Sequence, residues 1–335
     1  MKTYNSIIIG SGLGGLTAGA LLALWGKKVL VLEQHYIAGG CATAFKRKDF
    51  LMEVGLHEID GLHDQDFKRP IMELLGLFKG VEFLKIPELY HIRKGDFSYV
   101  LSEGKQAKEQ LKRDFPKEEK NINEFFITIE KLYKEMHQMP RSKWLRRLIH
   151  PLMPLLYPAI ASTSRITAGE WLDKHFKDER LKTILTANMC YYADDPFNLS
   201  LMYFLVAQGS YLNGGGHFVK GGSQNLSNYL VHFIEQHGGQ VLTGKYAKEI
   251  LIENNRAIGV AYQDTFNRTI PMVKVYADTV IANAAQPNVV QMLPEPQCRV
   301  LQKRIGKLRP ACSLLSVYLG FNIDLRELGV THYSN

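Results

Sequence analysis

Gly10-Ser11-Gly12-Leu13-Gly14-Gly15, close to the start of the chain, has the G-x-G-x-x-G spacing of a phosphate-binding turn. The glycines have separate duties. Gly10 lets the chain turn sharply, Gly12 lets backbone amides approach a pyrophosphate, and Gly15 lets helix and strand pack closely. Downstream stands Glu33, a carboxylate at the right offset to accept both hydroxyls of a ribose. A second pair, Gly39-Gly40, followed by Cys41, offers another close backbone approach to phosphate. These residue types predict main-chain recognition of a dinucleotide, and the second pair is more than an NAD-only site needs.

The elements that must position them are readable. Tyr4 to Ile9 is a short isoleucine-rich run that predicts a buried strand. An apolar helix follows through Leu16, Ala20 and Leu24, closed by Gly26, and Lys28 to Leu32 predicts a second strand. The helix N-terminus brings unpaired N–H groups and a positive dipole to a diphosphate. The glycines at residues 10 to 26, and the strand after them, argue against a signal peptide cleaved at Ala18-Gly19-Ala20.

The remaining composition narrows the classes. The 335 residues suggest about two domains at roughly 150 residues each. At 46% hydrophobic and 22% charged the chain has ample core material, which excludes disorder and disulfide scaffolds. Cys41, Cys190, Cys298 and Cys312 have no zinc-ligand spacing and read as reduced thiols. The net charge of +8 favours anionic partners. No stretch reaches the ~20 apolar residues of a membrane span. There is no G-x-S-x-G or H-E-x-x-H, and no nucleic-acid reading module; His57, His63 and Asp64 read as chance neighbours and not as metal ligands.

At this point a resemblance becomes specific. G-x-G-x-x-G-L-x-x-A, then Val29-Leu30-Val31-Leu32-Glu33-Gln34-His35, then Ala38-Gly39-Gly40-Cys41, resemble the FAD-binding signature of the flavin oxidoreductases that include phytoene desaturases, carotenoid isomerases and retinol saturases. Cys41, where most of that group has Arg, is most similar to retinol saturases. Phe50 to His57 is similar to the family's F-x-F-D-x-G-x-H strand, with Glu53 in the Asp position and Gly55 as its glycine. Gly214 to Gly222 resembles a glycine-rich segment near the flavin, with Val219 where the family has proline. Ala247 stands in the strand whose backbone holds the adenine, and Asn283 in the strand that returns to the dinucleotide sheet.

The resemblance implies an α/β fold with a Rossmann-like FAD-binding domain at 1–62 and 214–290, of the type shared by glutathione reductase and amine oxidases. A discontinuous α+β substrate domain is implied at 63–213 and 291–335. It implies an FAD-dependent oxidoreductase acting on a C=C or CH–CH unit of a polyene or isoprenoid lipid, with NAD(P)H a candidate donor. His57 and His217 are then the candidate polar groups at the ring, and Tyr191 and Tyr192 candidate linings of the substrate tunnel. Family members continue past Asn335, so a fragment, or a module that holds only the ADP half, is expected as an alternative. An NAD-linked dehydrogenase is the other rival.

The segment reading agrees. Lys94-Gly95-Asp96 predicts a hairpin, residues 118–138 a helix, Thr167 to Glu170 a capping box, and Leu226 to Ile234 a helix stopped at Gly238. One stretch differs: Arg141, Lys143, Arg146 and Arg147 surround Trp144 and precede an apolar run broken by Pro151, Pro154 and Pro158. It suits a segment lying in a headgroup interface at 141–160, which predicts a cytoplasmic protein peripheral on a membrane.

Overall fold

The computed structural model describes residues 4–308 and 314–329. Cys312 lies outside the described residues, and Cys41, Cys190 and Cys298 are in no disulfide. The chain divides into two compact units: Met1–Glu58, Pro70–Leu84 and Phe218–Pro310 form one, and Ile59–Arg69, Lys85–His217 and Ala311–Asn335 the other.

In the first unit, β1 (Tyr4–Ile9) lies at the middle of a six-stranded sheet. β2 (Val29–Leu32) pairs with it in parallel on one side and strand Val273–Ala282 on the other, with Ile7 opposite both Leu30 and Val280. Gln240–Leu242 adds a further parallel strand, and Arg256–Asp264 with Lys245–Glu253 extends the opposite edge antiparallel. Ile7, Ile8, Val29, Leu30 and Val31 are fully buried, as expected of strands covered on both faces. α1 (Leu13–Leu24) buries Leu16, Ala20 and Ala23, and helix Ser223–Gln236 packs beside it, burying Leu226, Leu230 and Ile234.

The division differs from the sequence reading at four places, each for a packing reason. Residues 70–84 belong to the first unit because Tyr229 lies against Gly80 and donates from its hydroxyl to the Leu75 carbonyl at 2.8 Å. Residues 291–310 belong there too, Met292 being part of the sheet's core. Ile59 to Leu62 and Gly214 to His217 instead join the second unit, where His217 pairs with Ile59 and Gly216 with Asp60.

The second unit is mainly helical. Helices Glu119–Gln138, Ala168–His175, Glu179–Thr186 and Leu201–Gly214 enclose a core in which Phe125 and Phe204 are fully buried, their rings 6.4 Å apart. The capping box forms, Thr167 and Glu170 each bonding the other's backbone N–H. The hairpin is Tyr90–Lys94 with Phe97–Leu101. The proline-broken stretch is three short helices, Lys143–Ile149, Met153–Leu156 and Pro158–Thr163, with a 3₁₀ turn over His150–Leu152. Each proline sits in the first turn of a new piece, where its missing N–H costs nothing. Among the described residues no helix is long and apolar enough to cross a membrane.

Candidate dinucleotide cradle

The cradle lies wholly within the first unit. At the end of β1 the Gly10 N–H donates to the Leu32 carbonyl at 2.8 Å, and the Asn283 N–H donates to the Ile9 carbonyl at 2.8 Å, so three parallel strands end together. α1 starts at once, with Gly12 as its N-cap and no side chain capping it. Its first-turn N–H groups therefore suit an anion better than they suit any side chain nearby.

The glycines separate into those the fold demands and those a ligand would demand. A Cβ on Gly15 would collide with the Gly10 carbonyl, so close packing of turn and helix requires glycine there. A Cβ on Gly12 would meet only Asn283 Nδ2, at 3.3 Å, and Gly12 has an ordinary φ of −59°. The protein alone would tolerate a small side chain at Gly12. A side chain there would stand at the adjoining cavity, about 330 Å³ and lined by Gly12, Leu13, Gly14, Gly39, Cys41 and Asn283 together with the Gly55 loop. A cavity that a Cβ would fill, at an uncapped helix start, fits the diphosphate of a flavin dinucleotide.

Ser11, the unassigned second position of the motif, ties the cradle together. Fully buried, it donates from its N–H (2.8 Å) and its hydroxyl (2.7 Å) to Glu33 Oε2. Its carbonyl accepts from the Gly39 N–H at 3.0 Å, so it also fastens the second glycine loop to the first. Glu33 Oε1 accepts from the His35 N–H at 2.8 Å. A carboxylate has about four lone-pair sites. Three are taken, which leaves room for one ribose hydroxyl and not for the two expected from the sequence. The reason is that the same carboxylate braces the turn. Gln34 and His35 are exposed beside it.

Helix Ser223–Gln236 holds the second loop from the other side: the Ser227 hydroxyl donates to the Ala42 carbonyl at 2.6 Å and Gln224 Nε2 to the Ala38 carbonyl at 3.0 Å. That helix has no cap of its own at Gly222. Glu53 supplies one, Oε1 accepting from the Ser223 N–H at 2.7 Å and Oε2 from the Ser223 hydroxyl. A carboxylate at a helix N-terminus both satisfies a donor and opposes the dipole. Glu53→Ala is expected to cost about 1–2 kcal/mol, read as a lower denaturation midpoint, with Glu53→Asp recovering part. An unchanged midpoint would count against Glu53 as the cap.

The other sequence candidates are scattered. Ala247 is buried at a register break between Ala247 and Glu249 in the edge strand Lys245–Glu253. His57 is exposed in the loop after strand Phe50–Glu53, where the Leu56 N–H donates to the Cys41 carbonyl at 3.1 Å. His217 does not belong to the cradle's unit. Its Nδ1 is buried without a hydrogen-bond partner, and burial first, then Lys85, holds its imidazole below the usual pKa and so neutral. Among the described residues no group of three or more His, Cys, Asp or Glu is placed to hold a metal.

The model of the family described as flavin containing amine oxidoreductase matches residues 13–325. The chain belongs to that family. The inactive all-trans-retinol 13,14-reductase of Danio rerio is 30% identical over 97% of this chain and 55% of its own length. The all-trans-retinol 13,14-reductase of the same organism is 29% identical over 98% of this chain and 56% of its own. The chain thus spans about half the length of the curated relatives it matches. The crystal structure of an oxidoreductase from Methanosarcina mazei has the same fold, at a TM-score of 0.61 and 21% identity, covering 91% of this chain and 66% of that one.

Proposed function

We propose that the first unit binds FAD and that the protein is an FAD-dependent oxidoreductase acting on a C=C or CH–CH unit of a polyene or isoprenoid lipid, of the retinol saturase kind. The observation that carries the reading is Gly12: a glycine the fold does not need, on a glycine-lined cavity at an uncapped helix start, in a turn anchored to an acid. Gly10, Gly12, Leu13, Gly14 and Gly15 would hold the diphosphate, with Gly39, Gly40 and Cys41 closing over it from the second loop. Glu33 accepts one ribose hydroxyl, Gln34 and His35 flank it, Ala247 offers backbone to the adenine, and Gly55 and Asn283 border the cavity. A bound flavin supplies hydride transfer, so the protein needs no nucleophile of its own. His57 and His217 are the candidates for a polar group at the ring, donating a proton or fixing the flavin's charge, with NAD(P)H as candidate reductant.

The test is reconstitution of the full chain with FAD, followed by its visible spectrum and its turnover of a polyene alcohol with reductant. His57→Ala and His217→Ala are compared at equal flavin content. Failure to retain FAD in excess ends the reading, and undiminished turnover ends the role of the histidine replaced. A second reading, a flavin-binding module without catalysis, is favoured by the relative whose own name is inactive; a flavoprotein without turnover supports it.

The peripheral membrane contact belongs to the same proposal. Trp144 is 69% and Leu155 78% exposed, with Leu148 and Leu152 also exposed. Arg146, Arg147 and His150 line a cavity of about 450 Å³ beside them, and no Asp or Glu occurs between Glu135 and Glu170. Apolar side chains next to unopposed cations suit anionic lipid, each cation contributing about 1 kcal/mol near such a surface. Trp144→Ala with Arg146→Glu is expected to lower sedimentation with anionic vesicles at least ~10-fold, since reversing one charge changes two units at about 1 kcal/mol each; unchanged sedimentation would remove the membrane contact.

A further inference from the structure

A groove of about 510 Å³ lies wholly within the first unit and shares no lining residue with the cradle. Four segments build it. Helix Ser223–Gln236 presents Gln224, Asn228 and Val231, spaced i, i+4 and i+7, while Leu226, Leu230 and Ile234 on its other side are buried. Val241 and Thr243, two positions apart at the end of strand Gln240–Leu242, add a second wall. Tyr36, Ile37 and Ala38 come from the chain entering the second glycine loop, and strand Ala44–Arg47 from the chain leaving it. Gln224 Nε2 donates to the Ala38 carbonyl at 3.0 Å and to Asn228 Oδ1 at 2.9 Å, so the helix holds the loop and its own amide face together.

The lining has three kinds of surface. Ile37, Val231 and Val241 give it apolar area. Tyr36 and Phe45 add two aromatic rings, and Tyr36 is 60% exposed. Lys46 and Arg47 add two exposed cations. Arg47 lies over the Phe45 ring, 5.3 Å from its centre, and donates from Nη1 to the Lys46 carbonyl at 3.2 Å. Among the described residues neither cation meets a carboxylate, and no Asp or Glu lines the groove. A flat ring that carries an anion matches all three, the ring covering aromatic and apolar area while the anion meets the cations. A bare inorganic anion would leave the rings bare, and a neutral ring would leave the cations without a counter-charge.

We propose that this groove is a second nucleotide site, taking a nucleoside phosphate with its base against Tyr36 and Phe45 and its phosphates at Lys46 and Arg47. Aromatic side chains and arginine planes are the surfaces on which single bases stack, and a base of any kind offers the face they need. The volume falls within the roughly 300–1,000 Å³ of small-molecule sites. An anionic ligand is also what the net charge of +8 favours. Nothing in the site depends on flavin in the cradle or on a lipid substrate.

Titration of the full chain with ADP, adenosine and inorganic phosphate tests it, with FAD in excess to fill the cradle and the flavin spectrum followed throughout. ADP is expected to bind at least ~10-fold more tightly than either fragment, about 1.4 kcal/mol, without displacing flavin. Lys46→Gln with Arg47→Gln should bring ADP down toward adenosine and leave adenosine unchanged. Tyr36→Ala should weaken ADP and adenosine alike, ~10-fold, and both variants should keep the parent's flavin spectrum and denaturation midpoint. Phosphate binding as tightly as ADP, ADP binding only as flavin leaves, or an ADP affinity untouched in both variants overturns the proposal. A chain that holds no flavin, yet binds ADP in a manner that survives Gly12→Val and fails in Tyr36→Ala, would remove the FAD reading and keep this site. A yellow chain that ignores ADP would remove this site and keep the flavin.

Discussion

Gly12→Val is expected to abolish flavin retention while the protein stays folded. The backbone at Gly12, φ −59° and ψ 164°, is open to any L-residue, and the sole neighbour a Cβ would meet is the end of the Asn283 side chain. Two added methyl groups would stand in the cavity that Gly12 lines, against the place where a diphosphate has to touch the amides of α1. The helix loses a tolerable N-cap for a poor one, a stability cost of about 1 kcal/mol. The loss of close approach is larger: separating a phosphate from two or three charge-assisted N–H bonds should lower FAD affinity at least ~100-fold, about 2.7 kcal/mol. Gly12→Ala should fall between the two. Gly15→Val gives the contrast, because its side chain would strike the Gly10 carbonyl and unfold the turn whether or not any ligand is present. The measurement is the ratio of visible flavin absorbance to protein after dialysis, beside a denaturation midpoint. A Gly12→Val protein as yellow as its parent would show that the cavity is not where the diphosphate lies.

The same comparison shows why the cradle was legible in the sequence and its bracing was not. β1, α1 and β2 are short, locally patterned and joined by a glycine turn, so residue order alone carries them. Ser11 and Glu53 have no such local signature. Ser11 bonds a carboxylate 22 positions away, and Glu53 caps a helix 170 positions away. At the sequence level one is the variable residue of a motif and the other a conservative replacement in a strand. The meeting of Lys68 Nζ with Asp60 Oδ2 and Ser210 Oγ was hidden for the same reason: a turn and a distant helix must fold before these polar residues come together. The domain division slipped at Tyr229, whose hydroxyl reaches Leu75 across 154 positions and brings residues 70–84 into the first unit. The cation-rich segment at 141–160 was readable, since its prolines and missing acids are themselves local facts.

Glu33→Ala should be the most damaging single change to the cradle itself. Glu33 is 8% exposed, and its carboxylate accepts the Ser11 N–H, the Ser11 hydroxyl and the His35 N–H. Removing it leaves buried donors without an acceptor, at about 1–3 kcal/mol for each that water cannot reach. The Ser11 hydroxyl can turn toward another acceptor, whereas the Ser11 N–H is fixed in the turn. A total near 3 kcal/mol is therefore expected, together with a further ~10-fold loss of FAD affinity for the missing ribose contact. Glu33→Gln keeps one acceptor oxygen but turns an amide N–H toward a donor, so it should recover only part. The decisive experiment is the pair with Ser11→Ala. If Ser11 and Glu33 act as one brace, the double variant should cost clearly less than the two single changes added together, by about 1 kcal/mol or more. Strict additivity of the denaturation midpoints would mean that the buried bonds between them do not hold the two glycine loops together, and the cradle would have to be stabilised by packing of Leu16 and Ile9 instead.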